Sequence, residues 1–150
     1  MLRSGARPKT SDIGPHSQLT DQSPLSIWSA LISRTSTLSH VIHGKSSVSP
    51  ATSVALLFDD ILEIRDPRKS LSAHSPLEPV HIHGAHDTSI HLCLPRQRVE
   101  KLCEQGWGEL HQFADYGTEM MIYGPRDYAE CDFVFRLIVE SVSWAREENL

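Results

Sequence analysis

Four of the nine histidines fall within His81-Ile82-His83-Gly84-Ala85-His86-Asp87-Thr88-Ser89-Ile90-His91. Imidazole titrates near neutrality, so a cluster of such rings suits proton transfer or metal ligation. Parity says how they point. Ile82, Ile90, Leu92 and Leu94 are even-numbered; His81, His83, Ser89, His91 and Cys93 are odd. Two β-strands over these residues would place apolar side chains on one face and imidazoles on the other. Ile82 and Ile90 share the buried face only if the connection has an odd number of residues. A loop over 84–88 meets that condition and predicts His81 opposite His91. A slip of one residue would carry the imidazoles into the core.

Such a face supports two chemistries. His81 and His83, two apart on one strand, and His91 across from them can ligate one ion. The same three residues read equally as a hydrogen-bonded polar face or a metal-free acid–base pocket. Asp87 can complete a two-histidine, one-carboxylate set, or cap its own turn. As a general base, one of these histidines would remove the proton of an acidic enol or phenol. Arg126 would then present its planar donors to the oxyanion, unless it fixes the turn before the last helix by pairing with Asp127 or Glu130. Tyr123, at a strand end, can hydrogen-bond a substrate or pack. His16, His40, His43 and His74 carry no motif and are expected at the surface.

The elements that must position these groups follow from the flanking sequence. Residues 1–22, rich in Ser, Pro, Gly and charge, form an irregular N-terminal arm wrapping a domain over 23–150. Ser23-Pro24 reads as a helix start, with Leu25, Trp28, Leu31 and Ile32 as the apolar stripe. Val41-Ile42 starts a short strand, 46–53 a loop, and Val54–Phe58 a buried strand that Ile61, Leu62 and Ile64 extend or follow with a helical turn. Three prolines and several serines over 66–79 predict an exposed loop. Pro95 opens a helix with Val99, Leu102 and Cys103 inward and Gly106 ending it; Trp107 plugs into the core. Met120–Tyr123 reads as a strand. Asp127 and Glu130 resemble a capping box, opening a helix that buries Cys131, Val134, Ile138, Val142 and Ala145, with Tyr128 and Phe135 on that stripe. The order predicts a single α+β domain, a mostly antiparallel sheet with helices packed on one face and the histidine face free for a ligand.

Composition narrows the class. A chain of 150 residues holds one substantial core. Its net charge of −5 gives no basic footprint for nucleic acid. No apolar run approaches the roughly 18 residues of a membrane span, and the N-terminus lacks the apolar stretch of a secretory signal. Three cysteines without CxxC spacing suit a reducing compartment, so the expected location is cytoplasmic. No flavin or nucleotide motif is present, which leaves no cofactor or one transition metal.

The run His-x-His-x-x-His-Asp-x-[Ser/Thr]-x-His-Leu over 81–92, then Gly106-Trp107-Gly108 with His111, then Tyr123-Gly124-Pro125-Arg126, resembles the luciferase domain of bioluminescent fungi. Pro15-His16-Ser17-Gln18-Leu19 is similar to that group's N-terminal signature, so the likeness spans residues 8–146. The resemblance implies chemistry like that of fungal luciferase, which oxidises a hydroxypyrone with dioxygen. No apolar anchor is expected ahead of the motif. The expectation is therefore a small secondary-metabolism enzyme acting on an electron-rich polyketide- or terpenoid-like molecule, by proton abstraction and then oxygenation. A cofactor-free cyclase, pericyclase or isomerase and a non-catalytic small-molecule-binding protein are the alternatives. Within that likeness His81, His83, His91 and Arg126 are the catalytic candidates. His86, Asp87 and His111 join Tyr123 and Trp107 as substrate contacts, Trp107 reading first as core.

Overall fold

The computed structural model describes residues 1–60, 63–112 and 114–147; Ile61 and Leu62, expected to extend a strand or begin a turn, lie outside them. The elements are α1 (Leu25–Thr35), β1 (Val41–Gly44), β2 (Val54–Phe58), β3 (Val80–Ile82), β4 (Ile90–Cys93), α2 (Arg96–Glu104), β5 (Gly108–Leu110), β6 (Glu119–Ile122) and α3 (Tyr128–Glu147). Six strands form one sheet in the order β1-β2-β3-β4-β6-β5, and every neighbouring pair is antiparallel. This is a small single-domain α+β fold. Among the described residues no helix is long and apolar enough to cross a membrane.

The centre of the sheet follows the parity of the sequence. Val80 pairs with Leu92, His81 with His91 and Ile82 with Ile90. The loop over 84–88 closes through the amides of Asp87 and Thr88, both donating to the Gly84 carbonyl. The even-numbered side chains Val80, Ile82, Ile90, Leu92, Met120 and Ile122 meet Leu31, Val99, Leu102, Val134 and Ile138 in one core. Turning each aliphatic side chain outward would cost about 1.5–3 kcal/mol, so this core fixes the register. The helices cover that face, and His81 and His91 occupy the other.

Several expectations need correction. α1 begins after Pro24 without a side-chain cap; the Ser23 amide instead donates to Thr88 Oγ1. Its inward residues are Ile27, Leu31 and Thr35, so Leu25 is exposed. α3 buries Leu137 together with Ile138, leaving Tyr128 exposed and Phe135 only half-buried. The segment 66–79 is not simply exposed: Lys69, Ser70, Ser72, Leu77 and Glu78 are buried. The Lys69 ammonium donates to the Trp144 carbonyl, and Glu78 reaches back to the histidine face. β5 has no alternation long enough to read. It fits because Gly108 lies against β6, where a Cβ would stand 2.0 Å from the Met121 carbonyl oxygen.

The arm is irregular apart from a bridge between Thr10 and Gln18, yet it is tied to the domain. The Gln18 amide donates to Asp87 Oδ1, Gln18 Oε1 accepts from the Gly124 amide, and the Arg3 amide donates to the Gln105 carbonyl. It therefore roofs the face expected to be open.

Candidate functional site

Two adjacent central strands put His81 and His91 side by side, both about 97–98 % buried because the arm and the loop over 48–50 close above them. His83 follows His81 on the same face. Their rings stack, with centroids 4.9 Å apart for His81 and His91, 4.5 Å for His83 and His91, and 5.3 Å for His81 and His83. Carboxylates fix two of the rings from behind. Glu78 Oε1 lies 2.9 Å from His81 Nδ1 and also accepts from Ser46 Oγ. Asp87 Oδ2 lies 2.6 Å from His83 Nδ1, while its Oδ1 accepts from the Ser89 amide, Ser89 Oγ and the Gln18 amide. A carboxylate on Nδ1 selects the tautomer with its lone pair on Nε2.

Two further histidines complete the site. His16, on the arm, is buried; its Nε2 lies 2.6 Å from Glu109 Oε1, and its backbone carbonyl accepts from His91 Nε2 at 3.1 Å. Thr10 Oγ1 and the Tyr123 hydroxyl both donate to Glu109. His111 continues the β5–β6 pairing, its amide donating to the Glu119 carbonyl. Its ring stands edge-on to His16 and His91, with centroids 5.0 and 5.2 Å away, and its Nδ1 is 3.4 Å from Glu119 Oε1. All five imidazoles and Glu119 line a cavity of about 330 Å³, roofed by Gly14, Pro15, Val48, Ser49, Pro50 and Leu71.

Burial sets the electrostatics. Desolvation holds His91 well below its ordinary value, helped by repulsion from His81 and His83. It also lowers His81, against the opposing pull of Glu78, and takes His111 down to about 4. Burial, reinforced by Glu78, raises Glu119 to about 7. Burial alone would raise Asp87 too, but hydrogen bonds from His83 and Ser89 outweigh it and hold its carboxyl below the usual carboxylate range. Near neutrality His81, His91 and His111 are thus uncharged and Asp87 is ionised.

These shifts predict how metal-free protein responds to acid. His81, His91 and His111, lowered from about 6.5, contribute stability that is present above that pH and lost as the pH falls. Glu119, raised from 4.5 to about 7, has the opposite sign: its contribution is present below 4.5 and lost as the pH rises through 7. Below pH 6.5 the unfolded chain takes up imidazole protons at His81, His91 and His111 that the folded chain resists, while the folded chain already holds the Glu119 proton, so stability falls on acidification and Glu119 offsets part of the fall. Denaturant unfolding across that range measures the slope. Glu119→Gln removes the offset and should steepen it; a shallower slope in that variant would contradict the assignment.

The structure brings together His81, His83, His91 and His111 from the sequence-based candidates. Asp87 stands behind His83, and it also caps its turn through the Ser89 amide, so it is not a ligand beside the histidines. Tyr123 donates to Glu109 and does not line the cavity. The other three candidates fall elsewhere. His86 is exposed on the outer side of its loop. Trp107 packs in the core against Phe133, ring centroids 4.2 Å apart. Arg126 is engaged by Glu130 and Ser4 and does not line the cavity, because Glu130 sits one helical turn away and captures its guanidinium. His16, expected at the surface, is inside; its one sequence signal is its place in the Pro15–Leu19 segment. Glu78, Glu109 and Glu119 carried no motif. Among the described residues, two sets of three histidines bring ring nitrogens within 4.8 Å of one another: His81, His83 and His91, and His16, His91 and His111.

Residues 76–141 match the family model described as Luciferase domain. The luciferases of Armillaria gallica and Armillaria mellea are each 33 % identical over 92 residues, covering 54 % of this chain and 34 % of theirs. The luciferase of Neonothopanus nambi is 32 % identical over 73 residues, covering 45 % of this chain and 27 % of its own. The matched part thus spans about a third or less of the length of these curated relatives. No solved structure matches the chain.

Proposed function

We propose that this chain, which carries a luciferase-like domain, is a small oxygenase-type enzyme that deprotonates an electron-rich enol or phenol in its histidine-lined cavity and lets the resulting anion react with dioxygen. The observation that carries this reading is the buried His83–Asp87 pair, 2.6 Å apart, with the imidazole on the cavity wall. An ionised carboxylate on Nδ1 orients the ring and stabilises the imidazolium that forms when Nε2 accepts a proton. The cavity volume lies at the lower end for small-molecule sites, which suits a hydroxypyrone or a simple polyphenol. The substrate O–H proton passes to His83 Nε2, leaving an enolate. Its nucleophilic carbon forms a C–O bond to dioxygen, which is reduced to a peroxide, and the imidazolium returns the proton to give a hydroperoxide. The imidazoles of His81, His91 and His111, neutral near pH 7, add no fixed charge beside the anion.

The oxygenase and cyclase readings both drew on Arg126 as oxyanion donor, and that guanidinium is held by Glu130, so dioxygen dependence is what separates them. The direct test is oxygen uptake by purified protein with a panel of 3-hydroxy-2-pyrones and catechols, with products followed by mass. Consumption of one dioxygen per substrate and a product carrying both oxygen atoms is expected. Equal turnover under strict anaerobiosis would sink the oxygenase and favour an isomerising or cyclising enzyme, and binding without turnover would make the chain a carrier.

A further inference from the structure

We infer that His16, His91 and His111 form a site for one divalent transition-metal ion, assembled only when the N-terminal arm closes over the sheet. The inference rests on the arrangement of these side chains and does not depend on the reaction proposed above.

Three observations separate this set from the strand triad suggested by the sequence. The first is orientation. The rings of His16, His91 and His111 are mutually inclined by 89°, 71° and 67°, so lone pairs lying in the ring planes approach from different directions, as ligands around one ion must. The rings of His81, His83 and His91 are inclined by only 7°, 24° and 17°. Their lone pairs lie in nearly parallel, separate planes and cannot meet at one point without rotation.

The second is tautomer. The His16 backbone carbonyl can only accept, so His91 carries its proton on Nε2 and its lone pair on Nδ1. His16 presents Nε2 to Glu109 Oε1 at 2.6 Å, on a carboxylate that also accepts from Thr10 and Tyr123; its lone pair is therefore also on Nδ1. Both Nδ1 atoms are buried and have no hydrogen-bond partner among the described residues. A buried unpaired polar atom is costly and uncommon. Two such atoms on touching rings mark a place where something positively charged belongs.

The third is support from behind. Glu109 holds His16, the His16 carbonyl holds His91, and Glu119 stands behind His111. Carboxylates and carbonyls on the far nitrogen orient ligating histidines and raise their basicity. Three imidazole nitrogens with a cavity on the open side suit Zn²⁺, Co²⁺, Fe²⁺, Ni²⁺ or Cu²⁺; Mg²⁺ and Ca²⁺ prefer oxygen. The open side leaves a coordination position for water or an oxygen of a small molecule.

The test is titration of chelator-treated protein with Co²⁺ and, separately, Zn²⁺, read by elemental analysis, melting temperature and the ligand-field spectrum of Co²⁺. The wild type is expected to bind one equivalent with a rise in melting temperature. His16→Ala and His111→Ala should lose stoichiometric binding. Glu109→Gln, which acts only by positioning His16, should weaken it about 10–100-fold, and His81→Ala should leave the affinity within about threefold. Far-UV circular dichroism confirms that each variant is folded, and His111, the most accessible of the three, gives the variant least prone to unfold. Absence of stoichiometric binding by the wild type would overturn the inference. So would binding that depends on His81 as strongly as on His111. None of these readouts uses turnover, so the metal site and the oxygenase reading fail separately.

Discussion

His83→Gln should lower turnover about 10²–10⁴-fold, the usual contribution of a positioned general base, while the protein stays folded. The glutamine amide can still donate to Asp87 but cannot take up a proton near neutrality. Asp87→Asn should do comparable damage for a different reason. Asp87 Oδ1 accepts from three donors, the Ser89 amide, Ser89 Oγ and the Gln18 amide, so the carbonyl of an asparagine must stay there. Its NH₂ then faces His83 Nδ1 in place of Oδ2. The imidazole proton is driven to Nε2, the nitrogen that should accept, and the ring becomes the wrong tautomer. Initial rates of oxygen uptake on any pyrone or catechol that the wild type consumes measure both effects. Rates within threefold of wild type in folded His83→Gln would assign the base to another group.

Asp87→Ala is a different experiment, and its large effect is on stability. It leaves His83 Nδ1, the Ser89 amide and hydroxyl and the Gln18 amide without their acceptor in a buried site. Breaking a buried charged cluster from one side costs about 3–5 kcal/mol. For a chain of this length that lowers the melting temperature by about 10 °C, and Asp87→Asn, which keeps three of the four bonds, should lose far less. Because the Gln18 amide is released, cleavage by a protease within residues 1–22 should accelerate in Asp87→Ala before the core unfolds. A melting temperature within 3 °C of wild type would mean that the arm is held by its other contacts alone.

The sheet centre was legible because alternation is a local signal. Ile82 against Ile90 and His81 against His91 follow from parity and one loop length, and the helix covering the other face follows from the apolar stripe of α3. The roof was not legible. His16 sits in an irregular segment with no period to read, and its position is set by contacts with Glu109 and His91 that lie far along the chain. The same holds for Glu78, which looks like part of an exposed loop until the backbone brings it under His81. Arg126 was legible only as two alternatives, an oxyanion donor or a partner of Asp127 or Glu130, and Glu130, four positions away, holds it. Local pairing decided against the longer reach to the cavity.

The separation between arm and sheet also has a temporal side. His16 meets His91 across 75 positions and Glu109 across 93, whereas the two strands beneath are joined by a short loop. Contacts of such span carry the larger closure entropy, so the hairpin can pair long before the roof arrives. The order of assembly and the order of access are thus linked: with the arm in place, whatever reaches the histidine face must be small enough to pass it.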